Sequence, residues 1–190
     1  MTERKRPARK PEAAQAQAML RHWLKDVPND RLAHLIKDAS RGLQRSLQRR
    51  LAEHAVSFGH WSFLRILWDT DGLTQRELSE RAGLMEPTTF SALAAMERLG
   101  YIRREPAPDG GRKVFIHLTP AGQALKEVLV PFAEETNAIA VCGVRDADIA
   151  ATRRTLLAMI RNLAEDEIEA DKEDRRIPST RAVAKRRAEG

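Results

Sequence analysis

Apolar residues recur with a helical period along residues 31–54. The stripe is made of leucine, isoleucine and alanine side chains, mostly three or four residues apart: Leu32, Leu35, Ile36, Ala39, Leu43, Leu47 and Leu51. This spacing predicts a long amphipathic helix with one apolar side. Asp30 precedes the stripe as a candidate N-cap. A shorter helix is expected at 12–25, and Pro28 marks the break between the two.

The next segments predict a buried helix followed by a shorter one. Residues 58–69 are apolar on several sides, as in a helix at the centre of a small domain. Thr74 and Glu77 have the spacing of a capping box, in which each residue satisfies a free backbone N–H of the other. The helix that begins there is expected to end at Gly83.

A second short helix follows after a tight connection. Pro87 lies near its first turn and Gly100 ends it. Phe90, Leu93 and Met96 are predicted to belong to the core. Two short helices joined by about four residues with a central glycine are typical of a helix-turn-helix.

Beyond Gly100 the pattern changes to that of strands. Residues 101–105 and 112–118 flank Asp109-Gly110-Gly111, which is a strong hairpin signal. A hairpin directly after a helix-turn-helix is a wing. The predicted fold class is therefore mainly α with a small β-hairpin wing (α+β), a winged helix-turn-helix.

Two helices are predicted after the wing. Thr119 and Pro120 have the residue types that begin one of them, and Asp146 opens the other. The last helix, over residues 147–170, carries one apolar face: Ile149, Leu156, Ile160 and Leu163. The terminal helices carry more apolar surface than the small winged-helix core needs for its own burial. A second copy of the chain is the simplest partner for the rest.

Composition and charge narrow the function classes. The chain has 190 residues with a net charge of +6. Its basic residues are concentrated in the tails, since 1–11 hold five Lys and Arg against one acid and 172–190 hold seven against three. The residues between the tails are slightly acidic, so a DNA-binding face there must be a local patch.

Several classes of site are not expected. The sequence has no Gly-rich phosphate loop, HExxH or GxSxG motif, so no enzyme is predicted, and its single cysteine, Cys142, gives no multi-cysteine metal site. No cofactor is expected. No apolar run approaches the roughly 18 residues of a membrane span, and the basic N-terminus lacks the apolar stretch of a secretory signal. A cytoplasmic protein without a membrane partner is predicted.

Residues 73–122 resemble the core of the multiple antibiotic resistance regulator (MarR) family. The landmarks are LTQRELSERAGL, MERLGYIRR and the segment from Arg112 through Leu118-Thr119 to Gly122. The chain departs from the family pattern at Gly110 and at Ala94-Ala95, where members often have Asp and Asp-Arg. The family's wing-bracing salt bridge and arginine contacts are therefore not carried over.

The resemblance implies a DNA-binding transcription regulator that acts as a homodimer. It divides the chain into a basic tail with a short helical extension (1–29), a MarR-type domain (30–170) and a second basic tail (171–190). Within the domain, the winged helix-turn-helix is expected at 56–118 and the N- and C-terminal dimerisation helices at 30–54 and 120–170.

Candidate DNA contacts lie on the recognition helix, expected at about 86–99, and at the start of the helix before it. Short hydroxyls can contact bases or phosphates in the major groove, and the candidates are Thr88, Thr89 and Ser91. For Thr88 the alternative is that its hydroxyl only caps the helix. Gln75 and Arg76 are candidate phosphate contacts at a helix N-terminus.

The wing supplies the remaining DNA candidates. Arg112 matches the family motif, and an arginine at a hairpin tip suits the minor groove. Lys113, Arg103 and Arg104 are candidate phosphate contacts, with one of the last two expected to lie only on the solvated strand face.

A small-molecule site is implied by the resemblance. In the family, a pocket between the long first helix and the next one commonly takes aromatic carboxylates or phenolic compounds. The matching residues here are His60, Trp61 and Trp68, with Arg41 or Arg45 available to a carboxylate. The alternative is that the two tryptophans are simply core.

The combined prediction is a ligand-responsive repressor, released from a pseudo-palindromic operator by a small aromatic effector. One alternative is a redox-sensing regulator that uses Cys142, although its apolar sequence context predicts an inert thiol. Another is a winged helix used only for protein–protein contact.

Overall fold

The computed structural model describes residues 12–24, 32–107 and 113–173. The predicted N-cap Asp30, the hairpin turn with Arg112, and most of both basic tails lie outside these ranges. The chain divides into two compact units, residues 1–140 and 141–190.

The predicted helices are confirmed, with ends within a few residues of the expected ones. Their bounds are α1 Glu12–Leu24, α2 Leu32–Ala52, α3 Phe58–Asp69, α4 Gln75–Ala82, α5 Glu86–Arg98, α6 Pro120–Ala140 and α7 Asp146–Lys172. Helix α6 contains Pro131.

A three-stranded antiparallel sheet accompanies the helices. The strands are β1 Leu73–Thr74, β2 Ile102–Pro106 and β3 Val114–Leu118, in the spatial order β1-β3-β2. Strands β2 and β3 form the predicted wing, with Ile102 opposite Leu118. The sequence did not predict β1, because two residues are too few to show a strand period.

The core of the first unit lies where α3, α4, α5 and the sheet meet. Its fully buried members include Phe63, Leu64, Leu67, Leu78, Leu93, Met96, Ile102 and Ile116. Helix α2 buries only Leu47 and Leu51, near its C-terminal end, while Leu32, Leu35 and Leu43 stay exposed.

The predicted caps of α4 are confirmed. The Glu77 carboxylate accepts from the Thr74 backbone N–H at 2.8 Å, and the Thr74 hydroxyl oxygen accepts from the Glu77 N–H at 3.3 Å. At the other end Gly83 has φ of 62°, a left-handed conformation that glycine adopts without steric cost. These caps fix the length of α4.

Helix α6 begins in close contact with the end of the helix-turn-helix. The Thr119 hydroxyl donates to the Gly100 carbonyl at 2.6 Å and accepts from the Gly122 N–H at 3.0 Å. Any Cβ at Gly122 would collide with the Tyr101 carbonyl oxygen. Glycine at this position therefore lets α6 start directly against the base of the wing.

The second unit is described through α7. None of the α7 residues is buried, and its N-cap, Arg145, makes no side-chain hydrogen bond to the helix backbone. The Arg145 guanidinium instead pairs with Asp148 at 2.7 Å. None of the helices in the described ranges is long and apolar enough to cross a membrane.

Candidate DNA-binding site

Helices α4 and α5 form the predicted helix-turn-helix. They are joined through Gly83, and α5 has Met85 as its N-cap, with Pro87 in the first turn and no side-chain cap. The alternative role of Thr88 as a helix cap is therefore wrong. Its side chain is exposed and available to a partner.

Thr89, in contrast, cannot contact DNA as predicted. Its side chain is 0% exposed, and its hydroxyl oxygen lies 2.8 Å from the Ser79 hydroxyl and 3.3 Å from the Met85 carbonyl. These contacts join α4 to α5 in the core. The side chain is a structural part of the helix-turn-helix, because a buried hydroxyl is retained where its hydrogen bonds are satisfied.

The predicted core of α5 is correct at Leu93 and Met96 and wrong at Phe90. Leu93 and Met96 are fully buried, whereas Phe90 is 54% exposed. The buried side of the helix is Thr89, Leu93 and Met96, at the spacing i, i+4, i+7. Phe90 lies about 100° further around the helix.

The exposed side of α5 carries Thr88, Ser91 and Arg98. The Ser91 hydroxyl donates to the Pro87 carbonyl at 3.0 Å, which leaves its lone pairs free to accept a bond. Arg98 was not among the predicted contacts, yet it follows Ser91 by seven residues and thus lies on the same side. Its spacing from Ser91 was the signal that could have identified it.

Gln75 and Arg76 begin α4, where backbone N–H groups favour anions. The Arg76 guanidinium donates to Glu80 at 2.8 Å, and this hydrogen bond is the main reason that the pKa of Arg76 is raised. Both side chains of the pair are largely exposed. The pair is thus weak enough to exchange for a phosphate.

On the wing, both predicted arginines of β2 have acidic partners. Arg103 donates to the Glu105 carboxylate and to the Leu118 carbonyl, each at 2.6 Å. These two hydrogen bonds hold its side chain against β2 and β3. Arg104 forms an ion pair with Glu97 of α5, with Nε 3.0 Å from the carboxylate but outside hydrogen-bond geometry. Lys113 is exposed.

Asp71 braces the base of the wing. Its carboxylate accepts from the Leu118 backbone N–H at 2.9 Å and lies 3.3 Å from Nδ1 of His117. Nε2 of His117 lies 3.6 Å from the Glu105 carboxylate. These contacts join Asp71, two residues before β1, to both strands of the wing.

The predicted small-molecule residues are only partly brought together. Trp61 is 5% exposed and meets Trp68 edge to face at 5.6 Å, and Nε1 of Trp68 donates to the Gly122 carbonyl at 3.0 Å. The two rings therefore pack in or against the core, as the alternative interpretation expected.

His60 differs from the two tryptophans in having a buried polar ring atom that makes no hydrogen bond within the described ranges. Its Nδ1 atom is buried and has no hydrogen-bond partner within the described ranges, and burial lowers the pKa of His60. Arg41 is largely exposed, 3.9 Å from Asp38, while Arg45 is half-buried. Across the part of the chain that the structure describes, neither arginine bonds to His60 or a tryptophan.

Cys142 is less shielded than its apolar sequence neighbours predicted. The thiol is exposed. The expected shielding of this cysteine is therefore wrong, while its lack of reactivity stays a prediction.

Comparisons with known proteins give this arrangement a context. A family model described as the MarR family matches residues 56–114. The chain is 29% identical over 98 residues to the HTH-type transcriptional regulator TtmR of Methylorubrum extorquens, covering 52% of this chain and 50% of that protein. It is 33% identical over 72 residues to the homoprotocatechuate degradative operon repressor of Escherichia coli, covering 38% of this chain and 49% of the repressor. The chain thus spans about half the length of these relatives, whose names describe a transcriptional regulator and an operon repressor.

The fold is also similar to solved structures. One is the crystal structure of a MarR family transcriptional regulator from Listeria monocytogenes complexed with 26mer DNA. It has a TM-score of 0.66 and 21% identity, and the match covers 75% of this chain and 95% of that one. The winged helix-turn-helix fold is confirmed by this similarity.

Proposed function

We propose that this chain is a transcription regulator of the MarR family that binds double-stranded DNA as a homodimer, since the MarR family model matches residues 56–114. The observation that carries the proposal is the exposed side of α5, with Thr88, Ser91 and Arg98 free of the core. A helix presented in this way after a tight turn fits the major groove, with its N-terminal residues toward the base edges.

Phosphate contacts would come from the elements on either side of α5. Gln75 and Arg76 lie at the start of α4, and Lys113 precedes β3 of the wing. Arg112, a further predicted contact, lies outside the described residues. These groups would neutralise DNA phosphates and fix the position of the protein along the duplex, while α5 contacts the base edges.

The proposed homodimer rests on apolar surface that the chain leaves open. Helix α2 exposes Leu32, Leu35 and Leu43. In the second unit, an apolar cleft of about 440 Å³ includes Val144 and Leu157 in its lining. Contiguous exposed apolar surface of this kind marks association sites, and a second copy presents the same surfaces about a two-fold axis.

Two reading helices related by a two-fold axis require a pseudo-palindromic site. The half-sites should lie about one helical turn apart, roughly 34–36 Å centre to centre. Footprinting checks this spacing. Protection of a single isolated half-site contradicts the two-fold arrangement.

Titration with DNA at several salt concentrations tests the proposal as a whole. The affinity of a DNA-binding protein falls steeply as salt rises, because phosphate contacts release counterions. Sedimentation at micromolar concentration should give about twice 21.4 kDa. The absence of salt-dependent DNA binding would favour a winged helix that contacts only proteins.

We further propose that a small aromatic carboxylate or phenol releases the protein from DNA. Among the described residues, the buried Nδ1 atom of His60 has no hydrogen-bond partner, so a ligand could supply one. The lowered pKa of His60 keeps the ring neutral, and Nδ1 can then accept from a ligand hydroxyl or, in the other tautomer, donate to a carboxylate. The name of the E. coli repressor refers to degradation of homoprotocatechuate, which is an aromatic acid.

Linkage gives this effector proposal a quantitative test. A coupling of about 1–3 kcal/mol between the two sites corresponds to a weakening of roughly 5- to 150-fold in DNA affinity, and bound DNA must weaken ligand binding by the same factor. Tryptophan fluorescence with homoprotocatechuate and salicylate as probes measures the affinity for the ligand. His60→Ala should abolish the effect of the ligand on DNA affinity, and Cys142→Ser should leave that effect intact. A response that requires Cys142 and peroxide would favour the redox alternative.

A further inference from the structure

Phe90 is a large apolar side chain on the exposed part of the DNA-reading helix. It lies in the second turn of α5 and is 54% exposed. A single exposed apolar residue is ordinary on a protein surface. Phe90 differs because its surroundings hold it in place.

The Phe90 ring is fixed by a contact that joins α5 to the wing. The Arg104 guanidinium of β2 lies over the ring, 5.5 Å from its centroid, within the range of a cation–π interaction. Arg104 is in turn paired with Glu97 at 3.0 Å. Glu97 follows Phe90 by seven residues, so both lie on the same side of α5.

This arrangement has consequences for DNA recognition. A side chain that is already ordered loses less conformational freedom on binding. The Glu97 charge offsets that of Arg104, so the cluster has little net attraction for phosphate. What it presents is the exposed part of an apolar ring.

We propose that Phe90 is a specificity-determining residue that contacts the 5-methyl group of thymine in the major groove, with Arg104 as its positioning residue. The inference rests on the proposed DNA binding and deepens it. The thymine methyl is the apolar group that the base edges display in the major groove, and phenylalanine is suited to contact it. The ring has no donor or acceptor with which to read any other feature of a base edge.

Removal of that methyl group tests the proposal. The full-length protein first selects sites from a duplex library with a randomised segment. Each thymine of a selected duplex is then replaced by deoxyuridine, which removes only the methyl. At one or more thymines of each half-site we expect wild type to lose about fourfold in affinity, the equivalent of one methylene returned to water.

The variants assign the effect to Phe90. Phe90→Ala should bind thymine and deoxyuridine duplexes equally, whereas Phe90→Leu, which keeps an apolar side chain, should retain part of the preference. Arg104→Ala should reduce the preference without changing the melting temperature. Leu99→Ala removes another exposed apolar side chain at the far end of α5 and should keep the full preference.

The outcomes separate this inference from the proposed function. If the protein enriches no sequence from the library, both are overturned. If it enriches sequences but Phe90→Ala keeps the wild-type preference for thymine, only the role of Phe90 is overturned. Equal melting temperatures of wild type and Phe90→Ala would show that any lost preference reflects a lost contact.

Discussion

Helices α5 and α7 both carry an apolar side, yet only α5 buries it. In α5, Leu93 and Met96 are fully buried, whereas Ile160 of α7 is 63% exposed and Leu163 is 60% exposed. The apolar side of α5 is completed by α3, α4 and the sheet of its own unit. The comparison indicates that one chain is sufficient to position α5, the DNA-reading helix. The apolar side of α7, in contrast, needs a surface from another molecule to bury it.

Local hydrogen bonds show the same contrast. Helix α4, which supports α5, begins with a complete capping box, and the Ser79 and Thr89 hydroxyls join the two helices. The N-cap of α7, Arg145, makes no side-chain hydrogen bond to the helix backbone. The reading lobe, which consists of α3, α4, α5 and the sheet, is therefore specified by its own sequence in detail, and α7 mainly by its apolar pattern.

The largest expected effect comes from a charge placed on the apolar side of α7. Ile160→Glu should leave an unpaired carboxylate in the proposed interface, once in each copy. An uncompensated buried charge costs about 3–5 kcal/mol, so the dimer should dissociate more than roughly 100-fold more readily. Sedimentation over a dilution series measures this. Asn162→Glu, which adds the same charge on the opposite side of α7, is the control, and equal dissociation of both variants would argue against the interface.

The next prediction compares one substitution in the two helices. Leu93→Ala should cost about 2–5 kcal/mol in unfolding free energy, because it leaves a cavity in the core. Leu163→Ala should cost less than about 0.5 kcal/mol when the chain is monomeric, as expected of an exposed site. Urea unfolding in the Ile160→Glu background measures both. A large loss at Leu163 in the monomer would mean that the chain itself covers this face.

Most of the fold could be predicted from sequence because its signals are local. Helical period, the capping box at Thr74 and the glycines at 83 and 100 each act within a few residues, and the elements that they predicted are present. Strand β1 could not be predicted, because it exists only through its pairing with β3.

The candidate site was predicted less accurately, and α5 shows why. Hydrophobicity placed Phe90 inside and Thr89 outside, but the structure has the reverse. Thr89 can be buried because Ser79, on the preceding helix, lies 2.8 Å from its hydroxyl. The partner that decides which side of α5 faces inward is thus on another element, and the periodicity of α5 alone does not show it.

This reversal can be tested by two substitutions on adjacent residues. Thr89→Val should lower the unfolding free energy by about 1 kcal/mol, the contribution of a buried hydrogen bond, without changing the salt dependence of DNA binding. Thr88→Ala should leave stability unchanged and lower DNA affinity by a similar energy. Thermal unfolding and DNA titration of both variants measure the two effects. If Thr89→Val is as stable as wild type and binds DNA more weakly, then Thr89 contacts DNA after all.

The smallest expected effect is the acid sensitivity that the capping box gives to the reading lobe. The hydrogen bonds from the Thr74 side chain and backbone are the main causes that lower the pKa of Glu77 below its ordinary value of 4.5, with smaller contributions from the charges of Arg81 and Lys113. The folded protein stabilises the ionised Glu77 carboxylate more than the unfolded chain does. Its contribution to the free energy of unfolding is therefore fully present above the pKa that Glu77 has in the unfolded chain. The contribution is lost as the pH falls through the lower pKa that Glu77 has in the folded protein.

Glu77→Gln should therefore have a lower melting temperature than wild type at neutral pH. This difference in melting temperature, the margin, should not change with pH near neutrality and should shrink below about pH 4.3. Melting curves of the two proteins over this range measure it. In a Thr74→Ala background the shrinkage should be much smaller, since the Thr74 hydroxyl, the main hydrogen-bond donor to the Glu77 carboxylate, is gone and only the backbone N–H of residue 74 remains. A margin that stays constant to pH 3 in wild type would mean that the carboxylate is not held by the cap. The acid sensitivity of the lobe would then come from the wing carboxylate Glu105, whose pKa is also lowered, mainly by the hydrogen bond from Arg103.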